Sequence, residues 1–245
     1  ERMFIECFIY HYSISVLLAR DISSLPNPFV IFKELNVVLK CPVYNSAPVV
    51  EWMNNPLLGS SLDTLEILAK ISYIGRMEMP LGPLWLEKLV RLRNMCIYYT
   101  PAMHSTGMDE LQWFNFKINS LVGILMTKSC YLLASKMIHY NDFDINSIEV
   151  RKCLKELLRC FREIPQDHTI WGILPWPMLI TGAFARDPDD QELILQRINL
   201  MAERAHTYCG VRMASFLHEI WNSKDSPDSG LSLLFDRERL AQLDL

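Results

Sequence analysis

The residues best equipped for chemistry lie toward the C-terminal end. His218-Glu219-Ile220-Trp221-Asn222 begins like the metalloprotease helix motif, in which a second histidine one turn on lets two imidazoles share a zinc ion. Asn222 stands in that second position, so His218 reads as a helix-surface or partly buried residue. His206, Cys209 and His218 form another set on paper, but the Gly210 break separates the first two from the third. Asp142 and Asp144, and separately Asp187, Asp189 and Asp190, lack the glycine and closing glutamate of a calcium loop. Helix capping and solvation account for them, and no metal site is expected. A Gly-x-Ser-x-Gly nucleophile elbow and a glycine-rich loop ending in Lys-Ser/Thr are both absent. Leu58-Gly59-Ser60-Ser61 comes nearest and is better read as a helix start. With nine glycines in 245 residues, few places bring backbone close to a phosphate. Catalytic residues: none; the chain does not read as an enzyme.

Seven cysteines (Cys7, Cys41, Cys96, Cys130, Cys153, Cys160 and Cys209) are odd in number and scattered, with no Cys-x-x-Cys pair. Mostly set in apolar helical pattern beside Leu or Phe, they read as reduced, buried and intracellular. A net charge of −4, with 24 Lys and Arg spread along the chain, leaves no basic footprint for a phosphate backbone. The most apolar windows, residues 4–19 and 118–138, are interrupted by Glu6 and His11, and by Asn119, Lys128 and Lys136. Neither reads as a membrane span, and no membrane insertion is expected. The chain opens at Glu1 already in helical pattern, which suggests a piece of a longer protein.

The elements that would position these residues are helical almost throughout. Apolar residues recur at helical spacing, and Pro and Gly fall between the periodic blocks. Helices are expected over residues 2–20, 29–39 and 84–99, with residues 42–56 as a loop. Ser60 and Asp63 suggest a capping box opening a helix striped by Leu62, Leu65, Leu68 and Ile71. A long helix, broken at most once, runs over 109–139 with Phe114, Ile118, Leu121, Leu125 and Leu132 inward. Ser147 caps the next, with Val150, Leu154, Leu157 and Phe161 on one face. Asp189 and Asp190 open another, striped by Ile194, Ile198, Met201, Ala205 and Tyr208 and closed by Gly210 as C-cap. A final helix covers 211–221. The fold class is therefore all-α: one large multi-helix domain of packed antiparallel helices without a sheet. Residues 1–222 form the helical domain. Residues 223–245 form a linker and C-terminal tail, whose acidic and leucine-rich character suits a docking or activation segment.

Residues 171–185 are aromatic, apolar on all sides and punctuated by Pro175 and Pro177, which would break or start a helix. Such a helix belongs at the centre of a domain. Gly182 and Ala183 could also leave room for a ligand beside Trp171, Trp176, Met178 and Phe184, and twelve methionines make an adaptable apolar cavity plausible.

This stretch, a charged helix through Arg197 and then Leu217-His218-Glu219-Ile220-Trp221 resemble the C-terminal signature of the fungal-specific transcription factor domain. There a Trp-Pro-Leu-Phe-Ile-Ala-Gly block precedes a helix, a glycine-containing turn and a Leu-Glu-x-x-Trp helix. The present chain has Trp176-Pro177-Met178-Leu179-Ile180-Thr181-Gly182. Upstream, Asn55-Pro56-Leu57-Leu58-Gly59 and the helix from Leu65 to Ser72 resemble the family's Pro-Leu-Leu-Gly block, and Phe8-Ile9-Tyr10-His11-Tyr12 fits its first helix. The resemblance implies an all-α regulatory domain of a nuclear zinc-cluster protein. Two zinc ions would sit in a six-cysteine N-terminal module that makes the DNA contacts, with no cofactor in the present residues. It further implies dimerisation, here as a homodimer, and coactivator or corepressor contacts, often under the control of a metabolite, here a small apolar molecule or sterol. The alternative is a dimerisation and docking scaffold with no small-molecule site. Under either reading Trp176→Ala is expected to cost about 3–5 kcal/mol, measured by denaturant titration of the purified domain.

Overall fold

The helix ends show why these residues fold as they do. The computed structural model describes residues 2–41, 58–101, 107–205, 207–223 and 229–243, and among them every regular element is helical. Helix α1 spans Arg2–Leu18. Helix α2 (Pro28–Leu39) starts where Asn27 accepts from the Phe29 N–H and Pro28 supplies a preset φ. Helices α3 (Leu62–Ile74) and α4 (Pro83–Ile97) follow. Helix α5 (Glu110–Ile138) opens on a full capping box, with the Asp109 carboxylate accepting from the Gln112 N–H and the Gln112 side chain accepting from the Asp109 N–H. Ser147 caps α6 (Ile148–Glu163) through the Val150 N–H. Helices α7 (Pro175–Phe184), α8 (Pro188–Ala205), α9 (Cys209–Trp221) and the short α10 (Arg237–Leu240) complete the order.

Helix α5 is the spine. It packs on α3 and α4 and also on α6 and α7, so it joins the N-terminal and C-terminal helices in one contiguous core. It runs unbroken for 29 residues. By length and composition it could cross a bilayer, contrary to the sequence expectation, but 78% of its most apolar window is buried within the domain.

Several expectations need correction. The Ser60 side chain lies outside the described residues, but α3 begins at Leu62 with Ser61 in the cap position and no side-chain cap. That is one residue too late for a Ser60–Asp63 box. Phe114 is 40% exposed, because it stands on the first turns of α5, against the His168 ring. Tyr208 is 80% exposed, since α8 has already ended and Tyr208 occupies the N-cap of α9. Among the described residues of the tail, Leu231, Leu234, Leu240 and Leu243 are buried and Leu233 is half-buried. Arg237 donates to the Arg76 carbonyl at 2.9 Å and Arg20 pairs with Glu238, which fastens α10 beside the end of α1. The expected loop over 42–56 lies outside the described residues, as do residues 102–106 and His206.

Gly210 is no C-cap. It lies in the first turn of α9, without a left-handed φ, where a Cβ would sit 2.5 Å from the Ala202 Cβ. The glycine lets α8 and α9 approach. Gly210→Ala is therefore expected to lose about 1–3 kcal/mol by overpacking. Gly172→Ala, where a Cβ meets nothing within 4 Å, should change stability by less than about 0.5 kcal/mol; guanidinium unfolding of both variants checks the contrast.

Candidate ligand-binding site

The two prolines of the 171–185 stretch start a helix and do not kink one. Pro175 and Pro177 both lie in the first turn of α7, where backbone N–H groups have no intrahelical acceptor and their loss is harmless. All ten residues of α7 are buried. Its neighbours are α5, α6, α8, α9 and the 3-10 turns Thr169–Ile173 and Ser229–Phe235. The buried hydroxyls of Ser129 on α5 and Thr181 on α7 stand 3.4 Å apart across their contact.

The four expected ligand residues are distributed unevenly around this helix. Trp171, in the preceding 3-10 turn, is fully buried and stacks on Phe161 at 6.3 Å. Its indole N–H donates to the Pro165 carbonyl at 2.9 Å. The Arg197 guanidinium lies 5.2 Å from the Trp171 ring centre, a cation–π contact that compensates a cation whose burial pushes its pKa down. Trp176 and Met178 are also fully buried, and the Trp176 indole N–H has no acceptor among the described residues. Phe184 differs. Its ring packs edge-on against Phe143 at 5.8 Å, yet it borders an open cleft of about 460 Å³ between α6 and the α7–α8 junction. Trp171, Trp176 and Met178 do not line that cleft.

Around Phe184 the cleft has an apolar floor of Ile145, Leu154 and Leu158. Its rim carries Arg151, Lys155 and Arg162 from α6, and Arg186, Asp187 and Asp190 from the start of α8 and the residues before it. Arg162 reaches Asp190 at 3.3 Å. Burial and the neighbouring Asp187 raise the Asp190 pKa, against the pull of Arg162. Asp187 accepts from the Asp189 N–H at 2.9 Å. Arg186 donates to the Ala183 and Ala185 carbonyls at 3.1 and 3.3 Å. In sequence, Arg151, Lys155 and Arg162 differ by four and seven, the helical spacing that places them along one side of α6. The signal was present, but it looks like any solvated helix face.

The other chemistry-bearing residues are structural. His218 is exposed on α9, its ring edge-on to Trp221 at 5.2 Å. Asp144 accepts from the Asn146 N–H in the turn before α6. No group of three metal-ligating side chains occurs among the described residues. Cys96, Cys130, Cys153, Cys160 and Cys209 are buried, while Cys7 and Cys41 are exposed against expectation, being on the outer side of α1 and just past the end of α2. Burial lifts the Cys160 thiol to about 11 and the Cys153 thiol to about 12, which leaves both unreactive near neutral pH.

The sequence blocks that suggested a family meet in space. Trp221, closing the Leu217 to Trp221 block on α9, donates its indole N–H to the Gly182 carbonyl of α7 at 2.9 Å. A Cβ on Gly182 would lie 2.7 Å from Leu217 Cδ1, so the glycine of one block is shaped by the leucine of the other. Upstream, Gly59 adopts φ +53°, with a Cβ position only 1.9 Å from Asn119 Oδ1 on α5. The adjacent Leu58 N–H donates to the buried Glu6 carboxylate on α1 at 3.1 Å. Asn55, Pro56 and Leu57 lie outside the described residues. Each signature is thus a packing joint between helices, not a set of reactive groups.

Comparison with known families gives a match to the fungal specific transcription factor domain over residues 95–236, from the end of α4 to the turn before α10. Neither a curated protein nor a solved structure matches the chain. The match covers more than half of the sequence and contains both joined blocks: the chain belongs to the fungal-specific transcription factor domain family.

Proposed function

We propose that this domain senses a small molecule and controls transcription by RNA polymerase II as part of a zinc-cluster factor in the nucleus. A separate six-cysteine module with two zinc ions would make the DNA contacts, consistent with the lack of any basic footprint here. One observation carries the sensing reading: the cleft of about 460 Å³ ends on Phe184, the last residue of the helix that touches α5, α6, α8, α9 and the tail turn Ser229–Phe235. A ligand seated there contacts the element on which the tail rests. It can bias the packed against the released tail by its differential affinity for the two. Of the four expected ligand residues this reading uses Phe184; Trp171, Trp176 and Met178 do not line the cleft. Homodimerisation and coregulator docking belong to the same proposal, with the released tail as the contact that changes.

The scaffold reading keeps one observation in its favour. Met3, Phe4 and Phe8 on α1 and Val30, Val37 and Val38 on α2 are exposed, and exposed apolar side chains in such numbers suit a protein contact. Native mass spectrometry of the domain purified from a fungal host separates the two. Sensing predicts a stoichiometric small molecule that organic extraction releases, or a metabolite that stabilises the apo domain. At a hundred times its Kd such a ligand contributes about 2.7 kcal/mol, several degrees in Tm for a domain of this size. A clean apo mass, with no shift from sterol and metabolite panels, favours the scaffold.

A further inference from the structure

The cleft at Phe184 also has a charge imbalance that the fold does not use. Its rim carries four cationic side chains, Arg151, Lys155, Arg162 and Arg186, against two carboxylates, Asp187 and Asp190. Both carboxylates are already engaged, Asp190 by Arg162 and Asp187 by the Asp189 N–H at the start of α8. Arg151 and Lys155 are different. They stand one turn apart on α6, an arrangement of like charges that weakens a helix slightly, and neither makes an ion pair among the described residues. Directly between and below them in the helical repeat are Leu154 and Leu158, the apolar floor that leads to Phe184.

We infer that this cleft binds an organic anion: a carboxylate or phosphate head held by Arg151 and Lys155, with an apolar body lying along Leu154, Leu158 and Phe184. An anion there relieves the Arg151–Lys155 repulsion and gains charge-assisted hydrogen bonds, which Arg can make in pairs to a carboxylate. The apolar body covers Leu154, half-buried beside the cleft, and lies against Leu158 and Phe184, which line the cleft although their side chains are themselves buried. A neutral sterol gains only the second term, and a cation meets the rim's net positive charge. The inference rests on the sensing reading and narrows its effector class.

Isothermal titration of the domain with octanoate, octan-1-ol and octylammonium, three probes with one tail and different heads, tests it. Octanoate is expected to bind at least about tenfold more tightly than the other two. The Arg151→Glu/Lys155→Glu double variant should lose about tenfold or more of octanoate affinity while keeping the wild-type Tm, since both side chains are exposed. Equal binding of all three probes, or octanoate binding unchanged in the double variant, overturns the anion assignment and leaves small-molecule sensing intact. No binding of any probe, together with a clean native mass, overturns both.

Discussion

A helix that is apolar on every side has one stable position, the middle of a domain, and α7 imposes that position on everything else. Ten consecutive buried residues, Pro175–Phe184, must be covered by neighbours in every direction, because each exposed Leu, Ile or Phe would forfeit about 1.5–3 kcal/mol of burial. Helices α5, α6, α8 and α9 and the tail turn provide the cover. The joints that let them come close are specific: Gly182 under Leu217, Gly210 under Ala202, and the Trp221 indole on the Gly182 carbonyl. The family signature is the sequence trace of these joints. It contains Pro and Gly because a buried helix start tolerates proline and a close crossing demands glycine, and its closing Trp221 ties α9 to α7 through the indole N–H.

Much of this was legible in the residues. The all-α class followed from helical spacing, and the stripes of α3 and α6 fell where Leu62 to Ile71 and Val150 to Phe161 placed them, Leu154 excepted as half-buried beside the cleft. The misses share a cause. Gly210 was read by local convention as a stop signal, whereas its role is set by Ala202 on another helix. Phe114 has the right periodicity for the core but sits on turns of α5 that its neighbours leave partly uncovered. Cys7 and Cys41 are exposed, and each directly follows a charged residue, Glu6 and Lys40. Periodicity reports which face of a helix is apolar; it does not report how far along the helix the partner extends.

The site shows the same limit more sharply. Bulky aromatic and sulfur side chains such as Trp171, Trp176, Met178 and Phe184 line cavities, but such side chains equally fill them. Trp171 meets Phe161, Arg197 and the Pro165 carbonyl, and Trp171, Trp176 and Met178 do not line the cleft. Phe184, buried like the other three, lines the cleft because α7 ends there and the chain turns away at Ala185. The rim is charged, and nothing in the sequence distinguishes Arg151 and Lys155 from an ordinary solvated face until α8 is placed opposite them. What the fold adds is a connection. The cleft, the central helix and the C-terminal tail are consecutive contacts, so a change at Phe184 has a short route to Leu231 and Leu234.

That connection is the central claim, and hydrogen-exchange mass spectrometry of a Phe184→Ala variant tests it most directly. If α7 couples the cleft to the tail, amides over residues 229–243 lose protection together with α6 and the end of α7, while α1 to α4 keep theirs. Loss of protection confined to α6 and α7, with the tail exchanging as in the wild type, would contradict the account.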